Sequence, residues 1–173
     1  KSFFVEVVSE KGKKFVEEHR DFFNRTKFVK PEVKFECNKK LNTKGLKEIL
    51  DNNFFHEKWK QEGEKCLSCT SCTQVCPSCY CFLTFDKFIL NTENSERFRE
   101  WDSCQLQRFT KVSGNHVFRQ SRESRLRQFV MHKLSYFQEN HDAPLCIGCG
   151  RCISVCPVNI DLTEIAKTIR GSQ

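Results

Sequence analysis

The 173-residue chain is 38% hydrophobic and 29% charged, with a formal net charge of +7. That balance suits one soluble domain, or a domain with an insertion, and no run approaches the roughly 18 apolar residues of a membrane-spanning helix. Nothing reads as a signal peptide, so the twelve cysteines point away from a secreted disulfide scaffold and towards metal ligands in a reducing, cytoplasmic compartment.

The chain opens at Lys1 inside an apolar run (Phe3, Phe4, Val5, Val7, Val8), as a chain entered midway would. Residues 2–8 alternate loosely and predict a strand. Ser9 is the predicted cap of a helix over residues 10–24, with Phe15, Val16, His19, Phe22 and Phe23 at helical spacing. Val29 to Phe35, interrupted by Pro31, predicts an edge-like strand. Thr43 reads as the cap of the next helix, which carries Leu46, Ile49, Leu50 and Phe54 on one face and Trp59 near its end. His19 and His56 lie beside such stripes, where a lone histidine is more often structural than metal-binding.

Two cysteine runs follow. The first is Cys66-Leu-Ser-Cys69-Thr-Ser-Cys72-Thr-Gln-Val-Cys76-Pro77, and the second is Cys146-Ile-Gly-Cys149-Gly-Arg-Cys152-Ile-Ser-Val-Cys156-Pro157. Both match C-x2-C-x2-C-x3-C-P, the spacing of bacterial two-cluster ferredoxins. Three thiolates at three-residue steps wrap a loop around one face of a cubane, and the fourth starts a turn leading to the other cluster. Pro77 and Pro157 suit that turn, because the ring fixes φ and no backbone donor is needed. The spacing therefore predicts two [4Fe–4S] clusters with crossed ligands. Cys66, Cys69, Cys72 and Cys156 hold one; Cys146, Cys149, Cys152 and Cys76 hold the other. Zinc sites favour two separated cysteine pairs and fit this pattern poorly. Ser68, Thr70, Ser71 and Thr73 beside the first set, and Gly148, Gly150 and Arg151 beside the second, offer hydroxyls, close backbone approach and charge to the sulfurs.

Each oxidised cluster with its four thiolates carries about −2, which brings the net charge to roughly +3. Much of the basic excess thus balances the cofactors. Four cysteines stay outside the runs: Cys37, Cys79, Cys81 and Cys104. Two readings stand for Cys79, Cys81 and Cys104. They form an additional iron–sulfur or metal centre, with Cys37 or His116 as a fourth ligand, or they are buried apolar thiols.

The stretch between the runs is too long to be structureless in a compact domain. Leu126, Phe129, Val130, Leu134 and Phe137 predict a helix over residues 122–138. The stretch is also basic (Arg97, Arg99, Arg108, Lys111, Arg119, Arg122, Arg125, Arg127, Lys133), which suits a counter-charge to the clusters or a docking surface as against a plain solvated face. Residues 161–170 predict a short helix (Leu162, Ile165, Ala166, Ile169). The expected class is α+β. It comprises a small α/β N-terminal segment (1–62, the remainder of a larger domain), a split dicluster ferredoxin-like core (63–85 and 143–173), and a mainly helical basic insertion (86–142).

Beyond the two runs, several motifs carry a family resemblance: Cys76-Pro-x-Cys79-x-Cys81, Arg99-Glu-Trp101-Asp102-Ser103-Cys104, Gly114-Asn-His116-x-Phe118-Arg119, Arg125-x-Arg127 and His132-Lys133. With them the chain resembles the iron–sulfur beta subunit of cytoplasmic sulfhydrogenases and the related iron–sulfur subunit of anaerobic sulfite reductases. The resemblance covers residues 1 to about 165, corresponds to the C-terminal half of those proteins, and is most specific over residues 64–160. One departure is Gly114-Asn115-His116, where such proteins often have Gly-Gly-His. The resemblance implies an electron conduit docked on a flavin-containing, NAD(P)H-oxidising subunit. It would pass electrons to or from a catalytic hydrogenase or sulfite/sulfur-reductase subunit. The chain has no Rossmann fingerprint, P-loop or nickel-binding cysteine pair, so nucleotide chemistry and hydrogen activation fall to partners. From a different class, a nucleic-acid-binding protein with structural clusters would also be basic; two full ferredoxin runs exceed what a structural role needs.

Overall fold

A computed structural model describes residues 3–26 and 37–171. They fall into two compact units, Lys1–Asn38 and Lys39–Gln173. In the first, helix α1 (Glu10–Glu18) starts where Ser9 Oγ accepts from Gly12 N–H at 3.1 Å. A 3-10 turn, Arg20–Phe22, follows it. The His19 ring stacks on Phe15 at 4.4 Å, a structural role. Residues 3–8 do not form the expected strand. A strand is stabilised by its ladder, and the described part of this unit offers no partner strand. The strand expected over residues 29–35 lies outside the described residues.

The second unit is built on helices. The one helix expected after Thr43 is two: α2 (Leu46–Asn52) and α3 (Glu57–Lys65). Gly45, in the left-handed region at φ 62°, precedes α2 in place of the expected Thr43 cap. His56 separates the pair by capping α3, its Nδ1 accepting from Lys58 N–H at 3.0 Å. Trp59 is fully buried and donates from Nε1 to Asn53 O at 2.9 Å, which ties the corner.

Helix α5 (Arg122–Met131) starts at the Ser121 cap and continues through a π-helical turn (His132–Tyr136) into a short helix, α6 (Phe137–His141). The expected helix over 122–138 is thus present, with a wider turn in its middle. Helix α8 (Leu162–Gly171) buries Leu162, Ile165, Ala166 and Ile169, one stripe at i, i+3, i+4 and i+7. These four pack with Leu46, Leu50, Trp59, Leu126, Val130 and Leu134 into the core. Gly63 lets α3 and α5 close up, since a Cβ there would sit 2.5 Å from Glu123 Cα.

The stretch between the cysteine runs also holds a β-hairpin, which the expectation of a mainly helical insertion misses. Strands β1 (Phe82–Phe88) and β2 (Ser95–Trp101) pair antiparallel, with Phe85 opposite Phe98 and Asp86 opposite Arg97. The Phe85 and Phe98 rings stack at 5.5 Å, and Arg97 grips Asp86 through two bonds of 2.7 and 2.8 Å. Every strand residue is exposed, so these cross-strand pairs carry the hairpin. Trp101 lies outside the core at its base, 71% exposed. No described helix is long and apolar enough to cross a membrane.

Candidate iron–sulfur site

The two cysteine runs fold alike. Ser68 and Thr70 in the first, and Gly148 and Gly150 in the second, take left-handed φ of 53°, 69°, 71° and 73°. Each loop then enters a one-turn helix, α4 (Ser71–Gln74) or α7 (Arg151–Ser154), and the two short helices pack together. The left-handed turns curl each loop so that its cysteines face one side.

The runs interleave. Cys66, Cys69 and Cys72 line a recess together with Cys152 and Cys156 of the second run. Cys72 is pushed up to about 12, chiefly by burial and then by the neighbouring thiols of Cys66, Cys152 and Cys69. Cys152 is pushed up to about 11 by burial and then by Cys146 and Cys76. Cys156 thus sits with the first triplet and Cys76 beside the second. Backbone N–H groups already point at sulfur, from Ser68 to Cys66 at 3.4 Å and from Ile160 to Cys156 at 3.2 Å. Cys69 Sγ lies 3.4 Å from Ser71 Oγ, and the hydroxyl and amide of Ser71 lower that thiol.

Three further side chains complete the setting. Gln105 lines the recess at 1% exposure, and neither its Nε2 nor its Oε1 has a partner in the protein. A buried amide without a partner costs about 1–3 kcal/mol, so this one is poised for a bound group. Arg125, also buried, donates from Nη2 to Ser68 Oγ at 3.2 Å and from Nη1 to the carbonyls of Arg119 and Gln120. Lys133, in the π-helical turn, donates to Cys76 Sγ at 3.0 Å and reaches Cys79 Sγ at 3.3 Å. Burial opposes ionisation of Cys76, but Lys133 and Ser78 hold it down at about 7.

The donor set fits iron and sulfide. The most crowded of the thiols, Cys72 and Cys152, resist losing their protons because each new charge is desolvated and repelled by its neighbours. Cationic metal reverses that balance, and the orphaned Gln105 amide and inward N–H groups match acceptor sulfur. Among the described residues, no group of three or more His, Cys, Asp or Glu converges on one ion-sized point.

Of the remaining expected site residues, Cys79, Cys81 and Cys104 lie near one another beside the core. Cys104 is buried and pairs with Cys81, whose thiol it lowers to about 6 while its own is raised. Cys79 is pushed up to about 11, mainly by burial. Cys37 lies exposed in the first unit, and the exposed His116 ring packs edge-on against Phe118 at 4.8 Å. Thr73 does not offer its hydroxyl to sulfur as expected; it bonds Thr70 O and Ser103 Oγ, both at 2.8 Å. Sequence reasoning missed Gln105 altogether. Its one signal was its place directly after Trp101-Asp102-Ser103-Cys104.

Fold and site define an iron–sulfur protein of the dicluster class. The family model described as a 4Fe-4S dicluster domain matches residues 65–160. The chain belongs to that family and carries two [4Fe–4S] clusters. It is 36% identical over 179 residues to the sulfhydrogenase 2 subunit beta of Pyrococcus furiosus, covering 96% of this chain and 51% of that protein. It is 27% identical to the F420-dependent formate dehydrogenase subunit beta of Methanocaldococcus jannaschii, over 94% of this chain and 37% of the relative. Identity to the F420-dependent formate dehydrogenase 1 subunit beta of Methanococcus maripaludis is 33% over 87 residues, 45% of this chain and 22% of the relative. The chain therefore spans about half the length, or less, of these relatives. No solved structure matches it significantly.

Proposed function

We propose that the chain is the two-cluster electron relay of a multi-subunit, cytoplasmic oxidoreductase. Cys66, Cys69, Cys72 and Cys156 hold one cluster, and Cys146, Cys149, Cys152 and Cys76 hold the other. When bound, each cluster takes up and releases one electron at a time. The chain's residues do the rest. The loops fix the thiolates, backbone N–H groups and the Gln105 amide face the sulfurs, and α5 with α8 closes the apolar side of the recess. The observation that carries this reading is the interleaving of the runs, Cys156 beside the first triplet and Cys76 beside Cys152. It supports two clusters close together, as electron exchange requires.

The relatives' names are those of sulfhydrogenase and formate dehydrogenase beta subunits. They support partners of two kinds: a flavin- or NAD(P)H-binding subunit on one side, and a catalytic hydrogenase or reductase subunit on the other. Oxygen-free preparation should yield about eight irons and eight sulfides per chain, with two one-electron reductions followed by electron paramagnetic resonance. Zinc or closed disulfides at these cysteines, in place of iron and sulfide, would overturn the relay.

A further inference from the structure

Lys133 touches both cysteine runs at once. Its backbone carbonyl accepts from Cys146 N–H at 3.3 Å, and its ammonium donates to Cys76 Sγ at 3.0 Å. The residue is 2% exposed. Among the described residues no carboxylate pairs with it; its other neighbours are Cys79 Sγ at 3.3 Å and the Phe129 ring at 5.2 Å. A buried ammonium is costly unless a charged partner compensates it, and the partners within reach are the sulfurs of Cys76, a proposed cluster ligand, and Cys79.

Arg125, eight residues earlier on the same helical rod, is spent differently. Its Nη1 and Nη2 donate to the Arg119 and Gln120 carbonyls and the Ser68 hydroxyl, all oxygen, while its buried Nε has no partner in the protein. Lys133 thus bonds a ligand sulfur directly, while Arg125 bonds the Ser68 hydroxyl and meets Cys66 only through its charge. Lys133 lies in the π-helical turn, the kind of interruption of an α-helix that is frequent at functional sites.

We propose that Lys133 is a positioning residue of the cluster held by Cys146, Cys149, Cys152 and Cys76, clasping two of its ligands and raising its reduction potential alone. This role rests on the crossed ligand set proposed above. The added electron sits on a core whose ligand sulfur already faces a fixed positive charge in a dry site, so the reduced form gains more than the oxidised one.

The test uses the full chain, loaded anaerobically and titrated potentiometrically under electron paramagnetic resonance. Lys133→Met keeps the apolar stem and removes the charge. It should lower one of the two midpoints by a tenfold change in the reduction equilibrium or more, about 59 mV for one electron, and leave the other in place. Lys133→Arg should recover most of the shift. The cluster that moves should be the one lost in Cys146→Ser, not the one lost in Cys66→Ser. Should Lys133→Met fail to load, the native chain labelled with 15N-lysine keeps the idea open to refutation: hyperfine coupling from one lysine nitrogen to one reduced cluster is expected. Full iron with unmoved midpoints, or no such coupling, overturns the Lys133 role and spares the relay. A native chain that never takes up about eight irons overturns the relay itself.

Discussion

The loop from Cys66 to Cys72 makes its left-handed turns with Ser68 and Thr70, whereas the loop from Cys146 to Cys152 uses Gly148 and Gly150 at the same two places. Side chains with a Cβ pay about 1–2 kcal/mol for that backbone. The first loop is braced enough to hold them. Helix α3 runs straight into it, Arg125 holds Ser68, Thr73 is locked to Ser103 in the interior, and Cys66 is buried. Ile147 and Cys149 of the second loop are exposed, as Leu67 and Cys69 of the first are, but no atom lies within 4 Å of a Cβ built on Gly148 or Gly150. Strain survives where the surroundings over-determine the chain, and glycine takes over where they do not.

The largest effect should come from exchanging the two loops' fourth cysteines for serine. With crossed ligation, Cys76→Ser leaves about four irons and the same residual spectrum as Cys146→Ser. Cys156→Ser should instead match Cys66→Ser. Straight ligation, each run closing its own cluster, gives the opposite grouping, and iron analysis with electron paramagnetic resonance on four variants decides.

The backbone contrast itself comes next. Gly150→Ala has open space around its Cβ, so its cost is conformational alone, about 1–2 kcal/mol in denaturant unfolding of the loaded chain. Thr70→Gly relieves the same strain but gives back chain entropy of about 0.5–1 kcal/mol, so it should change stability by less than about 1 kcal/mol. Equal losses at both positions would erase the difference between a braced and an open loop.

A smaller, spectroscopic contrast lies in Gln105. If its buried amide donates to sulfur in the first recess, Gln105→Leu lowers only the midpoint of the cluster lost in Cys66→Ser. The shift should fall below the roughly 59 mV of a tenfold change, since a dipole is weaker than a charge. Movement of the other midpoint would break the link between Gln105 and the braced loop.

How much of this was legible beforehand follows the physics of each part. Cysteine spacing is set by ligand geometry within a few residues, so the two runs, the stripe of α8 and the Ser9 cap could be read directly. The hairpin carries no such signal: Phe82–Phe88 mixes apolar and polar residues on both faces, in keeping with its exposure along the whole strand, and helical spacing further on (Leu126, Phe129, Val130) made a helical insertion the simpler reading. Gln105, Arg125 and Lys133 carry no periodic signal. Their meaning arises from packing between segments distant in sequence, as when Lys133 meets Cys76 across the fold. The break at His56 was hidden because a histidine cap is uncommon and the apolar stripe runs on past it.

The mildest effect concerns how the open loop is held from its far side. Past Cys156 the chain turns into α8, and Asp161 caps it by accepting from Thr163 N–H at 2.8 Å and Thr163 Oγ1 at 2.7 Å, while also meeting Lys39. Burial works to raise this carboxyl, but Lys39 and Thr163 prevail and its pKa is lowered. A lowered folded-state pKa means stability that is complete above the ordinary carboxylate value of about 3.9 and lost as pH falls through the folded one. Asp161→Ala should therefore cost about 1 kcal/mol at neutral pH, and the gap between variant and native chain should close on acidification below about pH 4. Taking the difference between two chains cancels acid effects elsewhere in the molecule. Ile160 N–H, which points at Cys156 Sγ, sits just before the cap, so loosening Asp161 should also speed hydrogen exchange at that amide. A gap that persists at low pH would show the cap to act through its hydrogen bonds to Thr163 and not through its charge.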